Sequence, residues 1–170
     1  MCIVVDINCL PAVLNKKHAT HAEFKSVSDW ILTGKGKLVY GGSKYKEELK
    51  RARRYLRLVL TLGKKKKTVT VPDREVDHKQ DEIDKSFVHS RFNDSHLVAI
   101  IVVSKCRLLC SADSEALPFL KKKQFYARNV NRPKIYSSRK NADLLRDKNI
   151  ADICKPCKKA NKSLMSELGL

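Results

Sequence analysis

Apolar and polar positions alternate along the chain in blocks that predict strands and helices in turn. Short, β-branched apolar runs predict strands at residues 2–7, 38–40, 68–71 and 107–110, and a last one within 126–136. Helical spacing of apolar residues predicts helices over 19–33 and 43–62. Further helical segments are expected within 73–87, over 114–123 and in the tail from Asn141 onward. This order predicts an α/β protein, a three-layer α/β/α sandwich with a short, mainly parallel sheet.

The longest apolar run, Leu97 to Val103, fits two structures. Its β-branched residues favour a strand, but the strand predicted at 107–110 follows so closely that a buried helix is the alternative. We find no internal repeat. One domain is expected over residues 1–150, followed by a basic helical tail at 151–170 that is not a separate domain.

The helix predicted at 43–62 places one acidic side chain at the edge of its buried face. Its apolar stripe consists of Tyr45, Leu49, Ala52, Leu56 and Val59. At about 100° per residue, Glu48 lies roughly 60° from the stripe centre, whereas Glu47 lies roughly 160° away, in solvent. A half-buried glutamate needs a partner. A metal ion and a nearby Lys or Arg are both open as that partner.

Three aspartates stand at the ends of predicted elements. Asp6 closes the first strand, Asp113 follows the strand at 107–110, and Asp94 precedes the buried run. In an open parallel sheet, ligands gather at the carboxyl ends of the strands. Each aspartate could instead cap a helix. Together with Glu48 they fit a Mg²⁺ or Mn²⁺ site, at which a bound ion activates water for attack on a phosphodiester.

Charge points to a polyanionic partner. The chain has 36 Lys and Arg against 18 Asp and Glu, a formal charge of +18. Nucleic acid is therefore the expected partner, and the alternatives from charge alone are a membrane-surface protein and a basic protein without a polyanionic partner. Three basic stretches could bind it: Lys44 to Lys67, Lys121 to Lys140, and Lys155 to Lys162. The candidate contacts are Lys44, Lys46, Arg53, Lys121, Lys122, Lys123 and Arg128. Within the second stretch, Phe125 and Tyr126 could stack unpaired bases, although Phe125 also fits a core position.

The N-terminus has no signal-peptide pattern and no apolar run approaches about 18 residues, so no membrane association is expected. The six cysteines are interpreted as reduced thiols of a cytoplasmic protein. Cys154 and Cys157 form a lone CxxC motif without a second pair at zinc spacing, and we predict neither a metal nor a redox role for it.

Four segments, in this order, resemble the PIN-domain nuclease family, which includes VapC-like and PilT N-terminus-like proteins. They are residues 3–10 (IVVDINCL), 41–49 (GGSKYKEEL), 93–100 (NDSHLVAI) and 108–113 (LLCSAD). The resemblance covers roughly residues 1–150. It implies an endoribonuclease that uses Mg²⁺ or Mn²⁺, and it implies that the run Leu97 to Val103 is helical.

The resemblance also implies roles for individual residues. Asp6, Glu48, Asp94 and Asp113 match the family's metal-binding carboxylates, and Asn8 and Ser111 match the groups that orient them. Many members carry two acids at the central motif, whereas position 93 is Asn here, and Glu115 is the candidate for an outer ligand. Homodimers are common in the family, and toxin members pair with an antitoxin, so both are candidate partners beside RNA.

Two other functions remain open from the sequence. One is a nucleic-acid-binding module with an inactive PIN-like site. The other is a phosphatase with an aspartate nucleophile, which usually needs a second aspartate two residues after the first, where this chain has Asn8.

Overall fold

A computed structural model describes residues 2–127 and 132–159 of the chain. The described residues include one five-stranded sheet in which every neighbouring pair is parallel. Its strands are β1 (Cys2–Val5), β2 (Lys37–Gly41), β3 (Thr68–Val71), β4 (Leu108–Cys110) and β5 (Lys134–Tyr136), in the order β3-β2-β1-β4-β5.

Helices connect the strands and flank the sheet. They are α1 (Leu10–Leu14), α2 (His21–Leu32), α3 (Ser43–Arg51), α4 (Arg53–Lys64), α5 (Asp73–Ser86), α6 (Ser95–Ser104) and α7 (Leu117–Leu120). The predicted α/β class, with helices around a short parallel sheet, is confirmed. Short 3₁₀ turns lie at Ile7–Cys9, Lys123–Phe125, Arg139–Leu144, Asp147–Asn149 and Asp152–Cys154.

The strand order reverses between β1 and β4. From β1 the chain moves outward to β2 and β3, then returns to β4 and continues to β5. Because parallel crossovers are right-handed, the connections on the two sides of this point lie on opposite faces of the sheet. Such a reversal opens a crevice outside the carboxyl ends of the two central strands, where ligands of open α/β sheets bind.

Helix α6 resolves the ambiguity of the apolar run. Leu97 to Ile101 are all buried, and the helix packs on α5 and on strands β1, β2 and β3. A helix covered on several sides is apolar all round, which removes the helical periodicity from its sequence. The helical alternative is therefore correct. Helix α6 ends at Ser104, and the next residue, Lys105, has a left-handed backbone conformation (φ 54°).

Several predicted boundaries were wrong. The helix expected over 43–62 is broken at Ala52 (φ −85°, ψ 56°) into α3 and α4. Helix α5 is longer than expected, whereas α7 occupies only part of 114–123, and α1 was not predicted. The tail from Asn141 forms 3₁₀ turns rather than a helix as far as residue 159, and residues 160–170 lie outside the described residues.

The cysteines are not all reduced. Cys2 and Cys154 form a disulfide with Cα atoms 6.1 Å apart, which corrects the interpretation of six free thiols. The bond ties the first strand to the segment that follows residue 150. Cys9, Cys106 and Cys110 are buried free thiols, as expected from small residues in a core, and Cys157 is half-buried.

None of the helices in the described part of the chain is both long and apolar enough to span a bilayer.

Candidate active site

Asp6 lies at the carboxyl end of β1, at the point where the strand order reverses. Its side chain is 5% exposed. Oδ1 accepts a hydrogen bond from the backbone N–H of Asn8 at 3.0 Å, and Oδ2 accepts one from the hydroxyl of Ser111 at 2.9 Å. The backbone N–H of Asp6 donates to the carbonyl of Cys110, so β1 and β4 hold it from both sides. Its carboxylate is therefore fixed, with lone pairs left over for a further partner.

Ser111 links Asp6 to the loop after β4. The residue is fully buried, and its Oγ also accepts a hydrogen bond from the backbone N–H of Asp113 at 3.3 Å. Asp113 itself is exposed, and its Oδ1 accepts hydrogen bonds from the N–H groups of Glu115 and Ala116. The capping alternative considered for Asp113 is thus realised, since one of its carboxylate oxygens is engaged with the next turn.

Glu48 reaches the same edge from α3, which begins after a tight turn. Gly42 has φ +81°, and a Cβ there would come within 2.5 Å of the Val76 side chain, so glycine is required. The buried face of α3 contains Tyr45 and Leu49, while Glu47 is exposed. Glu48 is 32% exposed, at the edge of the buried face as the helical geometry predicted.

His96 is the partner of Glu48. Its Nε2 lies 3.5 Å from Glu48 Oε2, at the long limit of a hydrogen bond. The imidazole is 2% exposed, and its Nδ1 has no hydrogen-bond partner among the described residues. The pKa of Glu48 is lowered, primarily by the hydrogen bond from His96. From the sequence, His96 is close to Asp94 and is interpreted either as a residue that approaches the site or a substrate, or as a polar residue in the first turn of a helix. Its burial follows from the fold.

Asp94 precedes α6 and is half-buried, but its carboxylate makes no capping hydrogen bond to the helix. The capping alternative is therefore not realised at Asp94. Burial raises its pKa first, and the charges of Asp6 and Asp113 raise it further. Lys44, whose ammonium donates to the carbonyl of Asn93, opposes this effect from close by.

These carboxylates form one electrostatic group. Burial raises the pKa of Asp6 against the opposing hydrogen bonds from Asn8 and Ser111, and Glu48 raises it slightly more. Within residues 2–127 and 132–159, neither Asp6 nor Asp94 forms an ion pair with a Lys or Arg. Carboxylates that disfavour one another's ionisation and have no cationic partner are the kind of group that a bound cation would stabilise.

The donor set fits a hard divalent cation. It consists of carboxylate oxygens, which Mg²⁺ and Mn²⁺ prefer. Among the residues that the structure describes, no three His, Cys, Asp or Glu side chains already converge as a metal cage. Mg²⁺ seldom needs one, since it is usually held through one or two carboxylates and retains several waters. Asp6 and Asp94 would hold the ion, with Glu48 and Asp113 at the margin.

Asn8 was expected to orient a carboxylate and Glu115 to supply an outer ligand, and of these two and Ser111 only Ser111 contacts a carboxylate through its side chain. Asn8 is exposed, and its backbone N–H rather than its side chain contacts Asp6. Glu115 is exposed, and its backbone N–H donates to Asp113. Ser111 alone of the three binds a carboxylate through its side chain.

The basic residues expected to bind nucleic acid have different surroundings. Lys46 pairs with Asp73 at 2.6 Å and lowers the pKa of that carboxyl, so its charge is largely engaged. Lys44 is held beside Asp94, as described above. Arg53, Lys121 and Lys123 are exposed, and Lys122 is partly exposed. Arg128 lies outside the described residues.

The aromatic residues expected to stack bases are buried. Phe125 is 6% exposed and Tyr126 is 4% exposed, with the Tyr126 hydroxyl donating to the carbonyl of Leu120 at 2.6 Å. Phe125 is therefore a core residue, the alternative that the sequence left open. Among the partly exposed aromatic rings, Phe87 and Phe119 lie next to the exposed His89, and none of these three residues was singled out from the sequence.

Comparison with known proteins adds no relative, because no protein-family model, no curated protein and no solved structure matches the chain.

Proposed function

We propose that the protein is a divalent-metal-dependent endoribonuclease of PIN-like design. One observation carries this proposal: Asp6 and Asp94 lie near one another at the switch point of the sheet, and among the described residues neither forms an ion pair with a Lys or Arg. Burying like charges costs stability, and such pairs occur where a charge arriving from outside is needed. A divalent metal ion would supply that positive charge and would in turn bind the negatively charged phosphodiester.

The chain's own residues would position the reacting groups. Ser111 and the Asn8 backbone hold Asp6 in one orientation, and His96 holds one oxygen of Glu48. Lys44 stands beside Asp94 and offers its charge to a phosphate. When bound, Mg²⁺ or Mn²⁺ would polarise the phosphodiester and activate the attacking water. The site needs no nucleophilic side chain.

RNA is the proposed substrate because the chain is strongly cationic around an acidic centre. The formal charge of +18 would concentrate a polyanion at the surface. The cytoplasm is the proposed location. An antitoxin and a homodimer remain predictions from the resemblance.

Cleavage by purified protein tests the proposal directly. We expect RNA to be cut with Mn²⁺, not with EDTA, and we expect Asp94→Asn to lose at least about 100-fold in rate, since a metal-bound charge is removed. The matched control is Asp29→Asn, which makes the same change in an exposed ion pair with Lys25 on α2. Equal cleavage by the wild type and Asp94→Asn would refute the assignment of the site.

The alternative function, an RNA-binding module with an inactive site, gives a different result. It predicts RNA binding without cleavage and no Mn²⁺-dependent rise in melting temperature. Asp94→Asn would then bind RNA at least as well as the wild type, because a negative charge near the polyanion has been removed.

A further inference from the structure

A cluster of aromatic side chains lies between the end of α5 and α7. Its buried half is Phe92 and Phe125, whose rings stack with an interplanar angle of 10° and centroids 5.6 Å apart. Phe87 packs edge-on against both of these rings. Phe92 and Phe125 therefore form a packed, buried layer against which the Phe87 ring lies.

The outer half of the cluster is open to solvent. His89 is exposed and lies parallel to the Phe87 ring, at 4° and 6.0 Å, and its centroid is 4.7 Å from that of Phe119. Phe87 and Phe119 are only partly buried. Val88, between Phe87 and His89, is 89% exposed. Aromatic rings grouped at a surface mark a place where another molecule binds.

A cation contacts this outer half, which we call the aromatic patch (Phe87, His89 and Phe119). The Lys122 ammonium lies 4.6 Å above the centroid of the Phe87 ring. Lys121, Lys123 and Arg91 are exposed nearby in the chain. Flat rings beside positive charges complement a ligand that carries both planar groups and negative charge. Unpaired nucleotides have both, and their bases stack on aromatic side chains.

The aromatic patch is anchored by the same segments that carry the candidate active site. Phe92, in the buried half of the aromatic cluster, precedes Asp94 by two residues. Phe119 lies on α7, whose first turn is fixed by the backbone carbonyl of Asp113 accepting from Leu117, and α7 packs against α6. The aromatic patch and the candidate active site are therefore connected through the segment before α6 and through the loop that leads to α7.

We propose that the aromatic patch is a base-stacking subsite that holds an unpaired base of single-stranded RNA beside the candidate active site. This rests on the proposed function only in its choice of RNA as ligand. Stacking is indifferent to base identity, so the subsite selects unpaired over paired RNA rather than one sequence.

The test is equilibrium binding in EDTA, where cleavage does not intervene. The probe is a short single-stranded oligouridylate containing one 2-aminopurine, whose fluorescence is quenched on stacking. We expect quenching by the wild type. We expect Phe119→Leu to reduce affinity roughly 5- to 100-fold and to abolish the quench, since one stacked base is lost. Phe119→Tyr should retain both, and Val88→Ala, an exposed neighbour without a ring, should bind like the wild type.

An abasic probe separates stacking from a general loss of structure. Wild type should bind it as weakly as Phe119→Leu binds the intact probe, and Phe119→Leu should show no further loss on it. Unchanged affinity and quench in Phe119→Leu would overturn the proposal, as would failure of the wild type to bind the probe. A patch that serves a protein partner gives the first of these results. Stacking without Mn²⁺-dependent cleavage would refute the nuclease function and leave the subsite standing.

Discussion

His96 Nε2 lies 3.5 Å from Glu48 Oε2 while the imidazole itself is almost fully buried. The pair joins α6 to α3 beneath the carboxyl edge of the sheet. Since the tilted ring of Tyr45 packs 6.4 Å from His96, and the Tyr45 hydroxyl donates to the carbonyl of Val5 at 2.7 Å, the same contacts tie β1 to both helices. We therefore predict that His96 acts by positioning Glu48.

Replacing His96 should weaken cation binding without destroying the fold. In His96→Phe, Glu48 loses the partner that fixes one oxygen, and we expect Mn²⁺ affinity to fall roughly 10- to 100-fold. His96→Gln should recover part of the loss, because its amide can still donate to Glu48. Isothermal titration with Mn²⁺ measures both.

A second histidine provides the matched control for His96. His78 stands 3.4 Å from Glu82 in an exposed pair on α5, so His78→Phe makes the same chemical change away from the site. It should bind Mn²⁺ like the wild type. If His78→Phe and His96→Phe weaken Mn²⁺ binding equally, the positioning role of His96 is wrong.

Removing the charge of Asp94 should stabilise the metal-free protein. The folded-state pKa of Asp94 is raised above its ordinary value of 3.8, so the carboxyl ionises more readily in the unfolded chain, and this difference opposes folding at neutral pH. Asp94→Asn should therefore increase the free energy of unfolding at pH 7 by about 0.5–2 kcal/mol. Urea denaturation in EDTA measures this change.

Mg²⁺ should reverse the order of stability. Wild type should gain melting temperature with rising Mg²⁺ because the ion binds only the folded state, whereas Asp94→Asn should gain little. A wild type that is already as stable as Asp94→Asn in EDTA would contradict the electrostatic argument for the site.

Part of the fold could be predicted from the sequence because neighbouring residues alone determine it. Strand β3 was predicted at Thr68–Val71, since a β-branched run stops at Pro72. The break between α3 and α4 could not be predicted, because Ala52 is a good helix former and the apolar stripe continues across it. Tertiary contacts decide the backbone at that residue.

The candidate site could be predicted only in part, because some of its features depend on tertiary contacts. Helical geometry correctly separated Glu48 from Glu47, as both lie on one regular element. The environment of His96 and the exposure of Phe119 depend on how distant elements pack. No local pattern distinguishes an aromatic residue that faces the core from one that faces solvent.

Lys67 should make stability depend on pH in the alkaline range. The residue is 2% exposed, and its ammonium donates to the carbonyls of Gly34 at 2.9 Å and Lys158 at 3.5 Å. Burial lowers its pKa from 10.5 to about 8. Between these values the unfolded chain binds the proton and the folded chain does not, so the free energy of unfolding should rise with pH, by about 3 kcal/mol at most.

The contribution of Lys67 appears as a difference between two proteins. Subtracting the pH profile of Lys67→Met from that of the wild type cancels the other titrating groups, including the buried thiols. The difference should rise from pH 8 to 10.5 and be flat below pH 7. Lys64→Met, which removes an exposed lysine at the end of α4, should leave the profile unchanged. A flat difference throughout would show that Lys67 titrates normally.

The Cys2–Cys154 disulfide should contribute measurably to stability. It joins residues 152 positions apart and restricts the unfolded chain more than a short loop would. Its reduction should lower the free energy of unfolding by about 2–4 kcal/mol. Urea denaturation with and without dithiothreitol measures the change, and the double variant Cys2→Ala/Cys154→Ala serves as the control, since dithiothreitol should not affect it.

Mapping the modified cysteines tests the pairing itself. Alkylation of the denatured, unreduced protein should modify Cys9, Cys106 and Cys110 and leave Cys2 and Cys154 unmodified, because Cys2 and Cys154 are paired with each other. Modification of Cys2 and Cys154 would mean that the bond does not form during expression. The oxidised and reduced proteins should then be compared in the Mn²⁺ titration. Since the disulfide joins the amino-terminal end of β1 and Asp6 follows its carboxyl end, we expect equal Mn²⁺ affinity in the two states.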